Sequence, residues 1–349
     1  MSFIIRHNFK IIIFILILFA TLFFSLSNFW HTPLHKTKNF NFIIHNGYTI
    51  DDLLVDFDSK GISVQKKLIK LSLALFKPKF ILKSGEYTLV SNSSLDDFFD
   101  LIHKGVSTQH KFKFIEGATF NQMLDLLKKN SKLQSLNEKK ITTSFILDKK
   151  AIDVMGGDIH YEGWFLPDTY FFQRGDSWSS ILSRSHLAMI DYLNHEWRLR
   201  QSNLPYKNFY EALIMASIIE KETGLNSERK KISGVLVKRL KVGMRLQVDP
   251  TIIYGMGDFY KGNLSKKDLL SDSKYNTYTR KGLPPTPISL PGKSSIHAAL
   301  NPHIGSELYF VAKGDGSHYF SKDFKEHQWA VKHFQVLKRS DQYRSSPDN

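Results

Sequence analysis

Short stretches of alternating apolar and polar residues recur through the first third of the chain, and such alternation is typical of β-strands. A helix-like pattern follows each stretch, with apolar residues spaced three and four positions apart. The strand-like stretches are FNFIIH from Phe40, GEYTLVS from Gly85 and HKFKFIE from His110. The pattern predicts small strand-then-helix units, which must pack on neighbours to bury their apolar faces.

The start of each predicted helix carries a capping box, in which Ser or Thr precedes Asp or Gln by three residues. The three pairs are Thr49 with Asp52, Ser94 with Asp97, and Thr119 with Gln122. These units predict one compact α+β module over about 40–107, which leads directly into a larger α+β domain over about 108–340.

Helical periodicity dominates the middle of the larger domain. Three helices are predicted, at about 177–200, 209–223 and 227–241. The sequence YEGWFLPDTYFF from Tyr161 precedes them and predicts an aromatic strand or loop.

The end of the chain is richer in turn-forming residues. Residues 244–291 contain many Gly, Pro, Tyr and Asn residues, which is typical of a long functional loop rather than a connector. A short helix is predicted from Ser295 and a hairpin from Leu308. We expect residues 341–349 to be a disordered tail.

One stretch near the N-terminus is apolar on every side. The sequence IIIFILILFATLFFSLSNFW, from Ile11 to Trp30, has no charged residue and is about long enough to cross a bilayer as a helix. A signal peptide is the alternative, but the apolar part is long for one and no small-x-small cleavage site follows. We therefore predict an uncleaved transmembrane helix over 11–30, with Trp30 at the membrane interface.

The charges around this span indicate its orientation. Arg6, His7 and Lys10 precede the span, so the positive-inside rule predicts that residues 1–10 stay in the cytoplasm and that the chain beyond Trp30 is exported. A short linker is predicted over 31–39.

Composition adds one constraint on partners. The chain has 48 Lys and Arg against 33 Asp and Glu, for a net charge of +15, which often indicates nucleic-acid binding. Export argues against nucleic acid, and the lysines are scattered rather than gathered on one element. We therefore expect a solvated basic surface close to anionic lipid and wall polymer.

Several familiar catalytic arrangements are missing from the sequence. It has no Walker loop, no His-Glu-x-x-His, no Gly-x-Ser-x-Gly and no cysteine, and its 14 histidines show no metal-ligand spacing. We therefore predict no metal and no cofactor. Carboxylates remain as the candidate catalytic groups.

The sequence ASIIEKET places two glutamates at the end of the predicted helix 209–223. Asn208 and Glu211 form a capping box at its start, and Gly224 is a natural stop. The two side chains point about 200° apart, so only one can face a given cleft. Glu222 lies over bulky apolar residues, and desolvation there favours the protonated acid.

A structural role is the alternative for both glutamates. On the helix pattern alone, Glu220 and Glu222 can be exposed charges that pair with Lys221 or with basic residues of the next helix. Glu222 is the better general-acid candidate, but the pattern does not identify a substrate.

Six longer segments carry a resemblance to a known family. They are MASIIEKET, SER at 227–229, GMRLQVDPTIIYGMG, YNTYTRKGLPPTPISLPG, EGWFLPDTY and LYFVAKGDGSHYFS. Through them the chain closely resembles the endolytic murein transglycosylases of the MltG, or YceG-like, family over most of residues 108–335. The N-terminal anchor and the module at 40–107 fit the layout of that family, in which the module resembles a LysM domain.

The resemblance implies a function and a location. It implies an inner-membrane enzyme, facing the periplasm, that cuts nascent peptidoglycan glycan strands internally, leaves 1,6-anhydro-N-acetylmuramyl ends and so terminates strand elongation. Glycan strands, the inner membrane and peptidoglycan synthases of the penicillin-binding class are the implied partners.

The resemblance also implies that the second glutamate of the Glu-x-Glu pair, Glu222, is catalytic. As an acid it donates a proton to the glycosidic oxygen between N-acetylmuramic acid and N-acetylglucosamine. As a carboxylate it then takes the proton of the muramyl C6 hydroxyl, which closes on the anomeric carbon. No water enters, so a second carboxylate is not required.

Amide, hydroxyl and aromatic side chains around the proposed acid suit sugar hydroxyl and N-acetyl groups. The substrate-binding candidates are Gln247, Asp249, Tyr254, Asn276, Thr277 and Tyr278. A loop-forming role is the alternative for each: Asp249 precedes Pro250 and can set a turn, and Asn276 can cap one.

Two other functions fit parts of the sequence. A non-catalytic wall-binding scaffold would keep the fold but does not need Glu222. A hydrolytic muramidase would use Asp249 or Glu220 as a second carboxylate. The glycan products distinguish the three functions.

Overall fold

The computed structural model describes residues 2–34, 38–134, 147, 149–155 and 160–337. The predicted disordered tail at 341–349 and part of the predicted linker at 31–39 lie outside the described residues. By internal contacts the chain forms two compact units, which we call unit 1 (residues 1–110 and 171–176) and unit 2 (residues 111–170 and 177–349).

Unit 1 begins with a long apolar helix, α1 (Ser2–His31). Within it, the stretch Phe9–His31 is long and apolar enough to cross a membrane, with a mean hydropathy of 2.7. The remaining elements of unit 1 are β1 (Phe40–Ile44), α2 (Ile50–Ser59), α3 (Lys66–Phe76), β2 (Gly85–Leu89) and α4 (Leu95–Lys104). Strand β1 pairs with β2 in an antiparallel register.

The predicted capping boxes are confirmed in unit 1. The Thr49 side chain accepts a hydrogen bond from the backbone of Asp52, and the Asp52 carboxylate accepts one from the Thr49 backbone at 2.8 Å. Ser94 and Asp97 make the same pair of bonds at the start of α4. Because each box satisfies free N–H groups of a first helical turn, local sequence alone fixes where these helices begin.

Trp30, which we expected at the membrane interface, is instead part of the core of unit 1. Its side chain is fully buried, its ring stacks on Phe99 at 5.4 Å between centroids, and its Nε1 donates to Asp96 at 2.8 Å. Leu34 donates a backbone hydrogen bond to Ser93 at 3.2 Å. The chain just after α1 is therefore held against unit 1 and is not a free linker.

Unit 2 is mainly helical, with a short hairpin near its end. Strands β3 (Gln109–Lys113) and β4 (Thr169–Gln173) pair with each other, and each has residues assigned to both units. The first helices of unit 2 are α5 (Phe120–Lys128) and α6 (Lys149–Val154). The helices α7 (Trp178–Arg198), α8 (Phe209–Glu222), α9 (Asn226–Lys241), α10 (Asp249–Met256), α11 (Lys266–Leu270) and α12 (Lys293–Leu300) follow. The last elements are β5 (Tyr309–Ala312), β6 (His318–Ser321) and α13 (Phe324–Val331).

Helix α8 is the central helix of unit 2. Every residue from 212 to 219 is buried, and α8 packs against α7, α9, α10 and α12. A helix that is apolar on all sides for more than two turns can be stable only inside a core. Its last residues emerge from that core, and they carry the two glutamates.

Most predicted elements of unit 2 are confirmed, and one region differs. The helices predicted at 177–200, 209–223 and 227–241 correspond to α7, α8 and α9, and the hairpin predicted from Leu308 forms β5 and β6. Residues 244–291, predicted as a long loop, contain the short helices α10 and α11.

Candidate active site

Hydrogen bonds at both ends of α8 fix the position of the glutamates. Asn208 accepts the backbone N–H of Glu211 at 3.1 Å and so caps the start. The return bond differs from the predicted box, because the Glu211 carboxylate accepts from the backbone of Lys207 at 2.6 Å. The helix ends at Thr223, which is extended, and its hydroxyl accepts the Leu225 N–H at 3.0 Å. This turn, rather than a left-handed Gly224, stops the helix.

Glu222 is the last residue of α8, and its carboxyl has a strongly raised pKa. The residue is only partly accessible to solvent. Desolvation raises its pKa to about 8, the charge of Asp249 adds to the rise, and Arg239 opposes it. In the part of the chain that the structure describes, no hydrogen bond reaches this carboxyl. Glu222 is therefore protonated at neutral pH and free to donate.

Glu220, by contrast, is tied into a network of donors. Its Oε1 accepts from Arg229 Nη2 at 3.2 Å, and its Oε2 accepts the backbone N–H of Gly292 at 2.9 Å. Arg229 also donates to Ser295 at 3.0 Å, which links α9 to α12. The Glu220 side chain is 6% exposed. Glu220 thus links α8 to α9 and α12; it pairs with a basic residue of the next helix, as in the structural alternative, but it is buried rather than exposed.

Asp249 and Tyr278 form a pair close to Glu222. The Tyr278 hydroxyl donates to Asp249 Oδ1 at 2.6 Å. Desolvation, followed by this hydrogen bond and by the charge of Asp249, raises the pKa of Tyr278 well above its usual range. Glu222 and Arg239 also act on the pKa of Tyr278, so all four side chains share one electrostatic environment. Asp249 is exposed at the first position of α10 and is open to a ligand.

Arg239 is the positively charged residue near Glu222, Asp249 and Tyr278. It is buried, its Nε donates to the carbonyl of Leu308 at 2.7 Å, and its Nη1 donates to the carbonyl of Leu246. Burial lowers its pKa from the ordinary arginine value, while the neighbouring Tyr309 and Glu222 oppose that change. Its charge offsets part of the negative charge that Asp249 brings to the site.

Asn276 and Thr277 lie near this group, but their polar atoms are used inside the protein. The Asn276 amide donates to the carbonyls of Leu269 and Ser271 at 3.1 and 2.6 Å, and its oxygen accepts the Tyr278 N–H at 2.8 Å. The Thr277 hydroxyl accepts the Val248 N–H at 3.0 Å. Both residues are buried, and both shape the loop that carries Tyr278.

Tyr254 contacts the carboxyl of Glu162 and not that of Glu222. Its hydroxyl donates to Glu162 Oε2 at 3.2 Å, and Glu162 Oε1 accepts the Phe120 N–H at 2.9 Å. Glu162 is buried, and desolvation raises its pKa to about 7, although its hydrogen bonds lower it. This link connects α10 to the start of α5.

Gln247 shows an unusual backbone conformation. Its φ angle of +53° is in the left-handed region, which non-glycine residues seldom adopt. Its N–H donates to the carbonyl of Thr277 at 3.1 Å, and its side chain is exposed. The strained turn directs the chain into α10 and places Asp249 at the start of that helix.

A cavity of about 610 Å³ lies beside the same end of α8. Residues 115–118, one face of α5, Glu220 and Lys221 line it. Glu222 does not line this cavity, so the cavity and the carboxyl with the raised pKa are neighbouring but separate features. Of the two carboxyls at this end of α8, Glu222 has the raised pKa and Glu220 is held by donors.

Sequence reasoning did not identify Arg239, Glu162 or Arg229 as residues of interest. Arg229 and Glu162 lie inside segments quoted for the family resemblance, which was the one available signal. Within the described residues, no group of three or more His, Cys, Asp or Glu side chains is placed to hold a metal ion.

Comparisons with known proteins agree on one family. The model of the YceG-like family matches residues 42–333. An endolytic murein transglycosylase of Bacillus subtilis (strain 168) is 34% identical over 263 residues, which cover 71% of this chain and 72% of the relative.

Two further relatives extend the match. An endolytic murein transglycosylase of Streptococcus pneumoniae (strain ATCC BAA-255 / R6) is 26% identical over 314 residues, which cover 81% of this chain but only 56% of that relative. A crystal structure of a YceG-like protein from Listeria monocytogenes aligns with a TM-score of 0.51 at 30% identity, and covers 84% of this chain and 99% of that one.

Proposed function

We infer, since this chain belongs to the YceG-like family, that it is a peptidoglycan lytic transglycosylase. The structural observation that supports this inference is the carboxyl of Glu222. It lies at the end of the buried helix α8, and its pKa is raised to about 8. A lytic transglycosylase needs one group that first donates and then accepts a proton.

We propose that Glu222 acts in both steps on the bond between N-acetylmuramic acid and N-acetylglucosamine. The protonated carboxyl donates to the glycosidic oxygen as the bond from that oxygen to the muramyl anomeric carbon breaks. The resulting carboxylate accepts the proton of the muramyl C6 hydroxyl, and the C6 oxygen bonds to the anomeric carbon. The products are a 1,6-anhydro end and a free N-acetylglucosamine hydroxyl, and Glu222 regains its proton.

The neighbouring charges support this cycle. Asp249 is exposed and close enough to Glu222 to raise its pKa, so its negative charge also favours the positive oxocarbenium-like transition state. Tyr278 holds the Asp249 carboxylate in place through its hydroxyl. Arg239 limits the rise in the Glu222 pKa and so keeps the carboxylate form accessible for the second step.

The substrate-binding candidates divide into two groups on this proposal. Gln247, Asp249, Tyr254 and Tyr278 retain accessible surface and are proposed to contact the sugar chain. Asn276 and Thr277 have buried polar atoms with partners inside the protein, and are proposed to position Tyr278 and α10 instead.

The proposed location follows from α1. We propose that this helix anchors the enzyme in the inner membrane, with residues 1–10 in the cytoplasm and unit 2 on the periplasmic side. We also propose that the LysM-like module at 40–107 lies near the glycan strand, and that a peptidoglycan synthase of the penicillin-binding class is a partner.

Mass spectrometry of the products from defined, uncrosslinked glycan tests the proposed reaction. Anhydro ends without water uptake are expected. Reducing ends that contain one added water would instead indicate a muramidase, for which the exposed Asp249 beside Glu222 is the favouring observation. No cleavage would indicate a wall-binding scaffold.

A further inference from the structure

The helix α1 is packed against unit 1 over more than its last turn. Phe23, Leu26 and Trp30 lie on one face of it, at helical spacing of three and four residues. Leu26 and Trp30 are buried, and the ring of Phe23 contacts that of Phe76, the last residue of α3, at 5.6 Å between centroids. The Phe76 ring also lies near those of Trp30 and His31, so the end of α3 contacts α1 from its last residues back to Phe23.

Helix geometry places the contact between Phe23 and Phe76 within the thickness of the bilayer. A hydrocarbon layer of about 30 Å takes up about 20 helical residues, so a span that begins after Lys10 ends near Trp30. Phe23 precedes the helix end at His31 by eight residues, or about 12 Å of rise. A part of unit 1 that reaches Phe23 therefore reaches the lipid.

The exposed surface of α3 has the composition that this depth requires. Leu71 and Leu75 are 45% and 54% exposed, and Leu68 completes an apolar stripe with them at helical spacing. The exposed Lys67 flanks the stripe, and the exposed Lys79 follows the end of α3. Leucines with adjacent lysines are typical of a helix lying at an anionic membrane surface.

The stripe also faces away from the body of unit 1. Lys66 and Lys70 of α3 form ion pairs with Asp58 and Asp51 of α2, both at 2.6 Å. At about 100° per residue, these two lysines lie roughly 140–180° around the helix from Leu75. The ion pairs with α2 therefore lie on the side of α3 opposite Leu75.

We propose that the leucine stripe of α3 (Leu68, Leu71 and Leu75) is embedded in the interface of the same bilayer that holds α1. The lysines beside it contact anionic lipid headgroups, and unit 1 rests on the membrane through two helices. This inference rests on the proposed anchoring by α1 and is independent of the proposed chemistry at Glu222.

The chain has no cysteine, so single-cysteine variants can report depth position by position. Leu75→Cys in the full chain carries an environment-sensitive fluorophore, and the protein is placed in nanodiscs that contain anionic lipid together with a neutral lipid that carries a quencher near the top of its acyl chain. Val55→Cys on α2, 58% exposed, is the matched control, and Phe19→Cys in the middle of α1 reports insertion in parallel nanodiscs whose quencher lies near the end of the acyl chain.

Quenching at Leu75→Cys is expected to exceed that at Val55→Cys by several-fold, and to weaken in nanodiscs without anionic lipid. Equal quenching at the two positions, with strong quenching at Phe19→Cys, overturns the inference and leaves the anchoring intact. Weak quenching at Phe19→Cys overturns the anchoring itself. A disulfide-linked dimer of unlabelled Leu75→Cys, with no lipid quenching, would show instead that the stripe contacts a second copy.

Discussion

Glu220 and Glu222 are two positions apart on one helix, and their different surroundings give them different chemistry. The Glu220 carboxylate accepts hydrogen bonds from Arg229 and Gly292. Apolar packing and the charge of Asp249 stabilise the protonated form of Glu222. Two identical side chains on one helix thus have different environments: the carboxyl of Glu220 is tied to donors, and that of Glu222 is desolvated.

Exchange of each glutamate for its amide distinguishes the two roles. Glu222→Gln is expected to reduce glycan cleavage by about 10³-fold or more, with the fold intact, because the amide cannot transfer the proton. Glu220→Gln is expected to retain substantial activity and to lower the free energy of unfolding by about 1.5–3 kcal/mol, because a hydrogen bond to a charged group is weakened. The amount of cleaved glycan measures the effect on activity, and chemical unfolding measures the effect on stability. An inactive Glu220→Gln beside an active Glu222→Gln would reverse the assignment.

The raised pKa of Glu222 also predicts how stability depends on pH. The folded protein keeps this proton up to about pH 8, whereas the unfolded chain loses it near the ordinary value of 4.5. The folded state binds more protons across that window, so the free energy of unfolding falls as pH rises through it. Glu162, with a pKa raised to about 7, contributes in the same direction. Glu222→Gln is expected to flatten the fall measured by chemical unfolding in detergent, and an unchanged slope would contradict the raised pKa.

Asp249→Asn tests the electrostatic link to the acid. Removal of the Asp249 charge removes the second cause of the raised Glu222 pKa, so the alkaline limb of the activity profile is expected to move to lower pH. The rate is expected to fall on the order of 10²-fold, with anhydro products retained. The pH dependence of kcat/KM tests the shift of the alkaline limb and the fall in rate, and the product masses test whether anhydro ends are retained. An unmoved limb would place Asp249 outside the electrostatic environment of Glu222.

At the scale of elements, the loop that carries Tyr278 depends on Asn276. Its amide satisfies carbonyls at the end of α11, and its oxygen holds the Tyr278 backbone. Asn276→Ala is expected to lower kcat and the melting temperature with little change in KM, because the loop loses its internal support. Thr279→Ala, which removes an exposed hydrogen bond to Asp272 in the same loop, is the control. A raised KM with unchanged stability would indicate direct substrate contact by Asn276.

Elements with a local signal could be predicted from the sequence, and those without one could not. Helices α2, α4 and α5 begin at capping boxes, which involve residues only three apart. Helix α3 begins after Gln65 without a side-chain cap, and α10 begins after Val248 in the same way. Their existence depends on packing, which a short window does not contain.

Residues of the candidate site also divide into those with a local sequence signal and those that depend on distant contacts. The different surroundings of Glu222 and Glu220 could be predicted because helix geometry separates their faces. Arg239 could not be predicted, since its burial depends on carbonyls of Leu246 and of the distant Leu308. The contact between Glu162 and Tyr254 joins residues 92 positions apart, and no periodicity encodes such a pair.

At the scale of the whole molecule, two truncations test how far the membrane helix belongs to unit 1. A chain that begins at Ser25 keeps Leu26 and Trp30, whereas a chain that begins at Thr32 loses both. The shorter chain is expected to lose about 3–5 kcal/mol of stability in unit 1, the usual effect of deleting a buried aromatic side chain. Trp30→Ala in the longer chain should reproduce most of the loss. Equal unfolding midpoints for the two truncations would mean that Trp30 contributes little to this core.

The buried position of Trp30 has a consequence for where the enzyme can persist in the cell. A protease that cut the chain just after α1 would release a protein with part of its interior missing and with Phe76 and Phe99 uncovered. Such a product offers apolar surface to the degradation machinery, so shed copies are expected to be short-lived. On the proposed anchoring by α1, cell-wall cleavage would then be confined to the membrane surface, because molecules that lose α1 would be degraded.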